Sequence, residues 1–349
     1  VRFTATVDAL PGIRDVKLAT PSGVSTVGQL VVTPDPVIYE SGTNNTRETA
    51  NPVELPATVC GVIEQNEDVD FFKFTVDAGT ELNFHCRCMR LQDRIHDLQR
   101  HGDPMMTIRN SMGSTVAASD NHFFGDPFLS VKFDRAGDYY MELRDVRYHG
   151  NAYWEYAVEV TNRPFVSNVY PLGIAAGQQT PVELVGTQLP DARITQLTIP
   201  ADTPEGPFWT KLPLGDEMTN PAAIFVTSLP LVQEGDADNN LPEAAQQITL
   251  PAGINGRVSV ESDIDCYNFE AKKGEKYTFE VRARRYQSAL DPIIRILGSD
   301  GRQLSENDDL RDFKRSFADS RIDDWTAPAD GVYTLEIRDM HLRGGDSFV

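Results

Sequence analysis

Cysteine is scarce in this chain, with 4 in 349 residues, too few for a disulfide scaffold. Long apolar runs are missing as well, so no stretch reads as a membrane-spanning helix, and nothing has the layout of a signal peptide. Positive charge is in deficit. Against 32 Lys and Arg stand 52 Asp and Glu, a formal net charge of −20, and such a surface repels phosphate backbones and excludes nucleic acid as a partner. The six histidines, His85, His96, His101, His122, His149 and His341, never form the His-Glu-x-x-His pattern of zinc hydrolases. There is no Gly-x-Ser-x-Gly elbow and no phosphate-cradling glycine loop. Scattered carboxylates single out no catalytic pair. The expectation is a chain that is not an enzyme.

What is present is apolar content of 40%, enough for packed cores, and a length that suits two to four domains. The acidity suits a soluble extracellular protein and offers hard oxygen ligands for cations such as calcium. Cys86 and Cys88 stand two apart in a strand-like run and so share a face. Buried free thiols and one bridge from Cys60 to Cys86 or Cys88 are both open readings, with Cys266 far from the rest. The chain opens in mid-strand at Val1-Arg2-Phe3-Thr4 and closes in mid-pattern at Ser347-Phe348-Val349, which reads as a segment cut from something longer.

The dominant feature is a duplication. Asp68-Val69-Asp70-Phe71-Phe72-Lys73-Phe74 pairs with Asp263-Ile264-Asp265-Cys266-Tyr267-Asn268-Phe269, and Gly79 with Gly274. Asp103-Pro104 pairs with Asp291-Pro292, Gly113 with Gly301, and Gly137-Asp138-Tyr139 with Gly331-Val332-Tyr333. The lead-ins repeat too: Glu40 before Asn44-Asn45 answers Glu234 before Asn239-Asn240. Gly345-Asp346-Ser347, a serine-protease-like tripeptide, aligns with the turn Asn151-Ala152-Tyr153. Period-two alternation and closely spaced turns make both copies β throughout, as in a sandwich or jelly roll. Only Leu91 to Arg100 has a helical look. Residues 164–230, with Tyr170-Pro171-Leu172-Gly173 and Gly186-Thr187, differ in character, and residues 1–35 look like the second half of a similar unit. The order expected is therefore a partial Ig-like module (1–35), a sandwich (36–163), an Ig-like module (164–230) and a second sandwich (231–349) whose last strand is incomplete. In fold class this is all-β, with tandem jelly-roll-like β-sandwiches alternating with Ig-like sandwiches.

The series Glu40…Asn44-Asn45…Gly61…Asp68-x-Asp70-x-Phe72-x-Phe74…Gly79…Asp103-Pro104…Gly113…Gly137-x-Tyr139 resembles the bacterial pre-peptidase C-terminal (PPC) domain. The second copy, with Leu290-Asp291-Pro292 and Asp330-Gly331-x-Tyr333, is similar to it as well. The Tyr-Pro-x-Gly…Gly-Thr module resembles IPT/TIG-type Ig-like folds, and the alternation resembles large secreted or surface proteins of planctomycete-type bacteria. The resemblance implies an accessory module of exported proteins, at times binding calcium and substrate. It implies metal ligands among Glu40, Asn44, Asn45, Asp68 and Asp70 in the first copy. In the second it implies Glu234, Asp236, Asn239, Asn240, Asp263 and Asp265.

Calcium accepts six to eight oxygens from carboxylates and amides, and Asp-x-Asp at a strand entrance sets two carboxylates on one side. The bland reading is that these residues are turn formers ahead of a strand. Asp236-x-Asp238-Asn239-Asn240 resembles only the opening of an EF-hand, since Leu241 stands where the glycine is required. Ser305-Glu306-Asn307-Asp308-Asp309 reads as a structural turn tip, and His85-Cys86-Arg87-Cys88 as packing positions of a strand. The expected role is a structural or adhesion segment outside the cell, at the cell surface or in the periplasm. Its partners would be protein, polysaccharide or other domains of the parent chain, with no insertion into a membrane. The alternative is a substrate-binding accessory module of a secreted hydrolase, marked by exposed aromatics among Tyr148, Tyr153, Trp154 and Tyr156. Alternation sets Trp154 and Tyr156 on one face and Tyr153 on the other.

Overall fold

The computed structural model describes residues 3–92, 100–123, 125–235, 237–312 and 315–349. The chain is all-β. Among the described residues the only helical pieces are Met89–Gln92 and the 3₁₀ turns Arg47–Thr49 and Arg284–Tyr286. Of the helix expected over Leu91 to Arg100, the structure shows the turn ending at Gln92, and 93–99 lie outside the described residues. No helix among the described residues is long and apolar enough to cross a membrane. The backbone divides into two compact units, Val1–Phe165 and Val166–Val349.

In the first unit a hairpin of Gly12–Val16 against Gly28–Val32 precedes the repeat. The first copy then runs through β1 (Val37–Tyr39), β2 (Asn51–Pro52), β3 (Ala57–Val62), β4 (Val69–Val76) and β5 (Glu81–Arg87). It continues with β6 (Pro104–Asn110), β7 (Thr115–Ser119), β8 (Phe128–Lys132), β9 (Gly137–Asp145) and β10 (Glu155–Thr161). They form two five-stranded sheets, ordered β7-β6-β9-β4-β2 and β8-β5-β10-β3-β1. Alternation in β4 buries Phe72, Phe74 and Val76 and leaves Thr75 exposed. These side chains meet Phe84 of β5 and Val158 of β10 in one core, each burial stabilising by roughly 1.5–3 kcal/mol.

The second unit opens with a module that has its own core, including Val169, Val182, Leu184 and Ile224. Its strands form two three-stranded sheets, one of Phe165–Tyr170, Gln179–Thr187 and Ile194–Thr198, the other of Gly173–Ile174, Ala222–Val226 and Gly206–Thr210. The second copy follows as β11 (Leu231–Gln233), β12 (Gln246–Gln247), β13 (Gly253–Asn255), β14 (Ile264–Ala271) and β15 (Lys276–Glu280). It ends with β16 (Pro292–Leu297), β17 (Gln303–Asn307), β18 (Arg321–Thr326) and β19 (Gly331–Asp339). The sheet β17-β16-β19-β14-β12 repeats its counterpart strand for strand. The other sheet is represented by two separate pairs, β18-β15 and β13-β11. Among the described residues β10 has no counterpart.

The repeated motifs prove to be turn and corner chemistry. Gly79 and Gly274 have φ of +85° and +86°, a region where a β-carbon is strained. Tyr139 and Tyr333 each donate a hydroxyl hydrogen bond four residues back, to Arg135 O at 2.9 Å and Ala329 O at 2.7 Å, closing a tyrosine corner. Asp145 and Asp339 each accept from three backbone N–H groups, those of Asp103, Arg147 and His149 and those of Asp291, His341 and Arg343. That explains why Asp-Pro and the terminal Arg-Asp recur together. Ser305, Glu306 and Asn307 correct the expectation of a turn tip: they belong to β17 and pair with β16, and Glu306 meets Arg295 at 2.5 Å. All four cysteines are free thiols, with Cys86 and Cys88 in the core and Cys60 half-buried.

Gly150 and Gly344 occupy equivalent turns with no room for a side chain. A β-carbon on either would lie 2.0 Å from a backbone oxygen, Gln65 O or Val260 O. Backbone cannot yield as a side-chain tip can, so Gly150→Ala is expected to destabilise the first unit by about 3 kcal/mol. Urea unfolding measures this, and a loss within 0.5 kcal/mol, roughly that of an ordinary surface change, would show that the turn relaxes freely.

Candidate functional site

In each copy the lead-in strand runs parallel to the third strand of that copy, β1 with β3 and β11 with β13. This pairing delivers the glutamate after the lead-in to the start of β4 or β14. Glu40 donates its N–H to Cys60 O at 2.8 Å, and its Oε1 accepts from Val62 N at 2.9 Å. The hydroxyl of Tyr156 lies 2.8 Å from Asp70 Oδ2 and 3.3 Å from Glu40 Oε2. In the second copy Glu234 N donates to Asn255 O at 2.9 Å, and Glu234 Oε2 accepts from Arg257 N at 2.8 Å. Asn239 Nδ2 reaches Glu234 Oε1 at 3.3 Å.

A buried aspartate thus stands beside a half-buried glutamate in each copy, Asp70 with Glu40 and Asp265 with Glu234. Burial, and then the charge of Glu40, push Asp70 up to about 8. Burial and the adjoining Glu234 push Asp265 up to about 10. Glu40 is raised too, chiefly by burial. Burial and the neighbouring carboxylate both favour the neutral form of Asp70 and of Asp265 over the ionised one. Oδ1 of Asp265 is buried and no donor reaches it.

The recurrent glycine belongs to this site. A β-carbon on Gly61 would lie 2.3 Å from Tyr156 Oη and 2.4 Å from Glu40 Oε2. On Gly256 it would lie 2.8 Å from Tyr267 Oη and 3.0 Å from Glu234 Oε2. The phenol therefore comes from β10 in the first copy and from β14 in the second, where Tyr267 replaces Phe72.

The Asp-x-Asp pair is split in role. Asp70 and Asp265 enter the buried pair, while Asp68 and Asp263 close the preceding turn by accepting Glu64 N at 2.8 Å and Ser259 N at 2.6 Å. Asn45 Nδ2 donates to Asp68 Oδ1 at 3.2 Å. The side-chain oxygen of Asn240 accepts Ile264 N at 3.1 Å. Asn44 and Asn239 are buried and hold the following strand through their carbonyls, which accept Phe71 N and Cys266 N. Asp236 lies outside the described residues. Among the described residues no group of three or more His, Cys, Asp or Glu side chains is arranged to hold a metal ion.

A second duplicated site carries no sequence expectation. Asp126, fully buried, accepts Cys88 N and Met89 N on Oδ1 at 3.0 and 2.6 Å, and Arg90 N and Nε on Oδ2 at 3.3 and 2.6 Å. Asp319 does the same for Ala283 N, Arg284 N, and Arg285 N and Nε. The legible signal is the Arg-x-x-Arg spacing of Arg87 with Arg90 and Arg282 with Arg285.

His85 is buried, and burial together with Arg87 drives its imidazole down to about 3, so it stays neutral. Burial raises the thiols of Cys86 and Cys88 well above their ordinary value, which leaves them unreactive packing groups. Trp154 and Tyr156, two of the four aromatics considered for ligand binding, are core residues, and the Trp154 indole donates to Arg100 O at 3.0 Å. Tyr148 and Tyr153 are exposed, with the Arg144 guanidinium 4.2 Å over the Tyr148 ring.

No family model matches the chain, and no curated protein matches it. Among solved structures the chain is similar to the pre-peptidase C-terminal domain of a collagenase from Bacillus anthracis. Identity there is 14% and the TM-score 0.25, over 32% of this chain and 94% of that one. It is also similar to the M60 catalytic domain with the CBM51-1 and CBM51-2 domains of Clostridium perfringens ZmpB. There identity is 8% and the TM-score 0.21, over 82% of this chain and 34% of that one.

Proposed function

We propose that this chain is a non-catalytic structural or adhesion segment of an exported protein, in which PPC-like sandwiches (36–163 and 231–349) alternate with Ig-like modules (1–35 and 164–230). On this reading it spaces or displays other parts of its parent chain outside the cell. The observation that supports it is the duplicated carboxyl clamp. In both copies this carboxyl clamp ties the lead-in strand to the sandwich body, and it joins no nucleophile to a base.

The same clamp is suited to calcium. Glu234, Asp265 and Asn239 in the second copy, and Glu40, Asp70 and Asn44 in the first, are hard oxygen donors, and Oδ1 of Asp265 has no donor of its own. Calcium would supply the positive charge that would favour the ionised form of Asp70 and Asp265 beside their glutamates. The remaining ligands would come from neighbours such as Asp263, Asn240, Asp68 and Asn45, and from water.

Thermal unfolding with calcium and with excess chelator tests this. At a hundredfold over its dissociation constant calcium adds roughly 2.7 kcal/mol, a rise of about 5 °C or more for a unit of this size. The rise is expected to vanish when Asp263 and Asp265 become Ala. No shift at millimolar calcium would leave a proton-clamped spacer.

A further inference from the structure

Within the second unit very little chain joins the opening module to the second copy. Thr227 N donates to Ile174 O at 3.0 Å, inside the opening module, and Gly253 N of the second copy donates to Pro230 O at 2.9 Å. Between these anchors stand Ser228 and Leu229, and Glu205 Oε2 accepts the N–H of Ser228 at 3.3 Å and its hydroxyl at 2.7 Å. A linker this short keeps two modules close but fixes no angle between them. Adjoining modules move relative to one another unless contacts across the junction prevent it.

Side chains on and just after β13 cross this junction. Asn255 is buried at the end of β13, its Oδ1 accepting Gly173 N at 2.7 Å and its Nδ2 donating to Gly173 O at 3.0 Å. One side chain thus pairs with both backbone groups of one residue, as a neighbouring strand would. Two residues on, the Arg257 guanidinium meets Glu183 at 2.9 Å and lies 4.6 Å over the Tyr170 ring. The Tyr170 hydroxyl in turn donates to Asn255 O at 3.4 Å. Tyr170, Gly173 and Glu183 come from three strands of the opening module, Phe165–Tyr170, Gly173–Ile174 and Gln179–Thr187. A rotation about residues 228–229 breaks these contacts together and leaves the buried Asn255 amide without its partners.

We propose that Asn255 and Arg257 make this junction a fixed joint, locking the opening module and the second copy into one rigid body. The joint is not a requirement of the shared fold. Glu40 N donates to Cys60 O as Glu234 N donates to Asn255 O, and Val62 N donates to Glu40 as Arg257 N donates to Glu234. Cys60 and Val62 therefore hold the places of Asn255 and Arg257 in the first copy, and neither offers an amide or a cation. The carboxyl clamp stands in both copies without the bridging pair, so the pair serves the junction and not the clamp. Gly173 is the matching concession in the opening module, since a β-carbon there would lie 3.0 Å from Asn255 Oδ1.

Spin labels placed by Gln196→Cys in the opening module and Glu270→Cys in β14, both exposed strand positions, report the joint in the full chain. Cys60→Ser keeps the half-buried thiol from taking label, and chelator keeps calcium out of the clamp. Pulsed dipolar spectroscopy is expected to give one narrow distribution of label-to-label distances. Asn255→Ala combined with Glu183→Ala should widen it roughly twofold or more, because domain motion is the default once the bridges are lost. Gly173→Ala, which presses on the Asn255 amide from the other module, should widen it too. Amide-exchange protection of β14 and β19 is followed in every variant to show that the second copy stays folded. Glu183→Ala alone leaves the second copy untouched, so it carries the test if Asn255→Ala does not fold. A broad or multiple distribution in the parent chain would overturn the proposal. So would an unchanged width in the Glu183 and Asn255 variants with protection retained.

Discussion

Asp319→Ala is expected to cost the second unit about 3–5 kcal/mol, and Asp126→Ala to cost the first unit as much, the range for breaking a buried ion pair by removing one partner. Each carboxylate is fully buried and satisfies three consecutive backbone N–H groups and an arginine Nε. Its removal strands four donors and leaves the guanidinium of Arg90 or Arg285 without the partner of its Nε. Asn in place of Asp keeps one acceptor oxygen but presents an amide N–H to the arginine, so Asp319→Asn should lose about half as much. Urea midpoints of the two units measure both effects. A loss below about 1 kcal/mol, the worth of an exposed pair, would mean that water replaces the carboxylate and that the duplication is incidental.

The carboxyl pairs make the opposite kind of prediction, a gain. Without calcium, the stability that the protonated Asp70 and Asp265 contribute is fully present below about pH 4, where the unfolded carboxyls are protonated as well. It is lost as pH rises, because the unfolded chain ionises first. The loss runs to about pH 8 for Asp70 and about pH 10 for Asp265, the values to which burial and the neighbouring glutamates raise them. Asp70→Asn and Asp265→Asn keep the shape and remove the charge, so at pH 9 in chelator each variant should be more stable than the parent chain by about 2 kcal/mol, well below the total that several pKa units carry at 1.36 kcal/mol each. Calcium should stabilise the parent and leave the variants unchanged. Flat parent stability between pH 5 and 9, with destabilised variants, would show that the carboxylates are ionised and partnered by some other means.

Much of the first copy was legible because its signals are local. Alternation of Phe72, Phe74 and Val76 sets a buried face wherever a strand forms. Gly79 and Gly274, or Tyr139 and Tyr333, recur because a turn needs positive φ and a corner needs a phenol four residues from its acceptor. The Glu40–Asp70 and Glu234–Asp265 neighbourhoods were also foreseeable, since lead-in and Asp-x-Asp repeat together. Their roles were not. Whether Asp68 or Asp70 closes the turn depends on where the chain ahead of the strand bends back.

The sequence by itself determined that the chain is β throughout, that one unit is duplicated, and which acidic residues recur, because period-two burial and turn chemistry act over a few residues. The tertiary structure alone decided the rest. It brought Asp126 to Arg90 and Asp319 to Arg285 across loops of unequal length, drew Trp154 and Tyr156 into the core, and exchanged the phenol of Tyr156 for that of Tyr267. These contacts join residues far apart in the chain, and proximity of that kind comes from sheet pairing, which no short window of sequence contains.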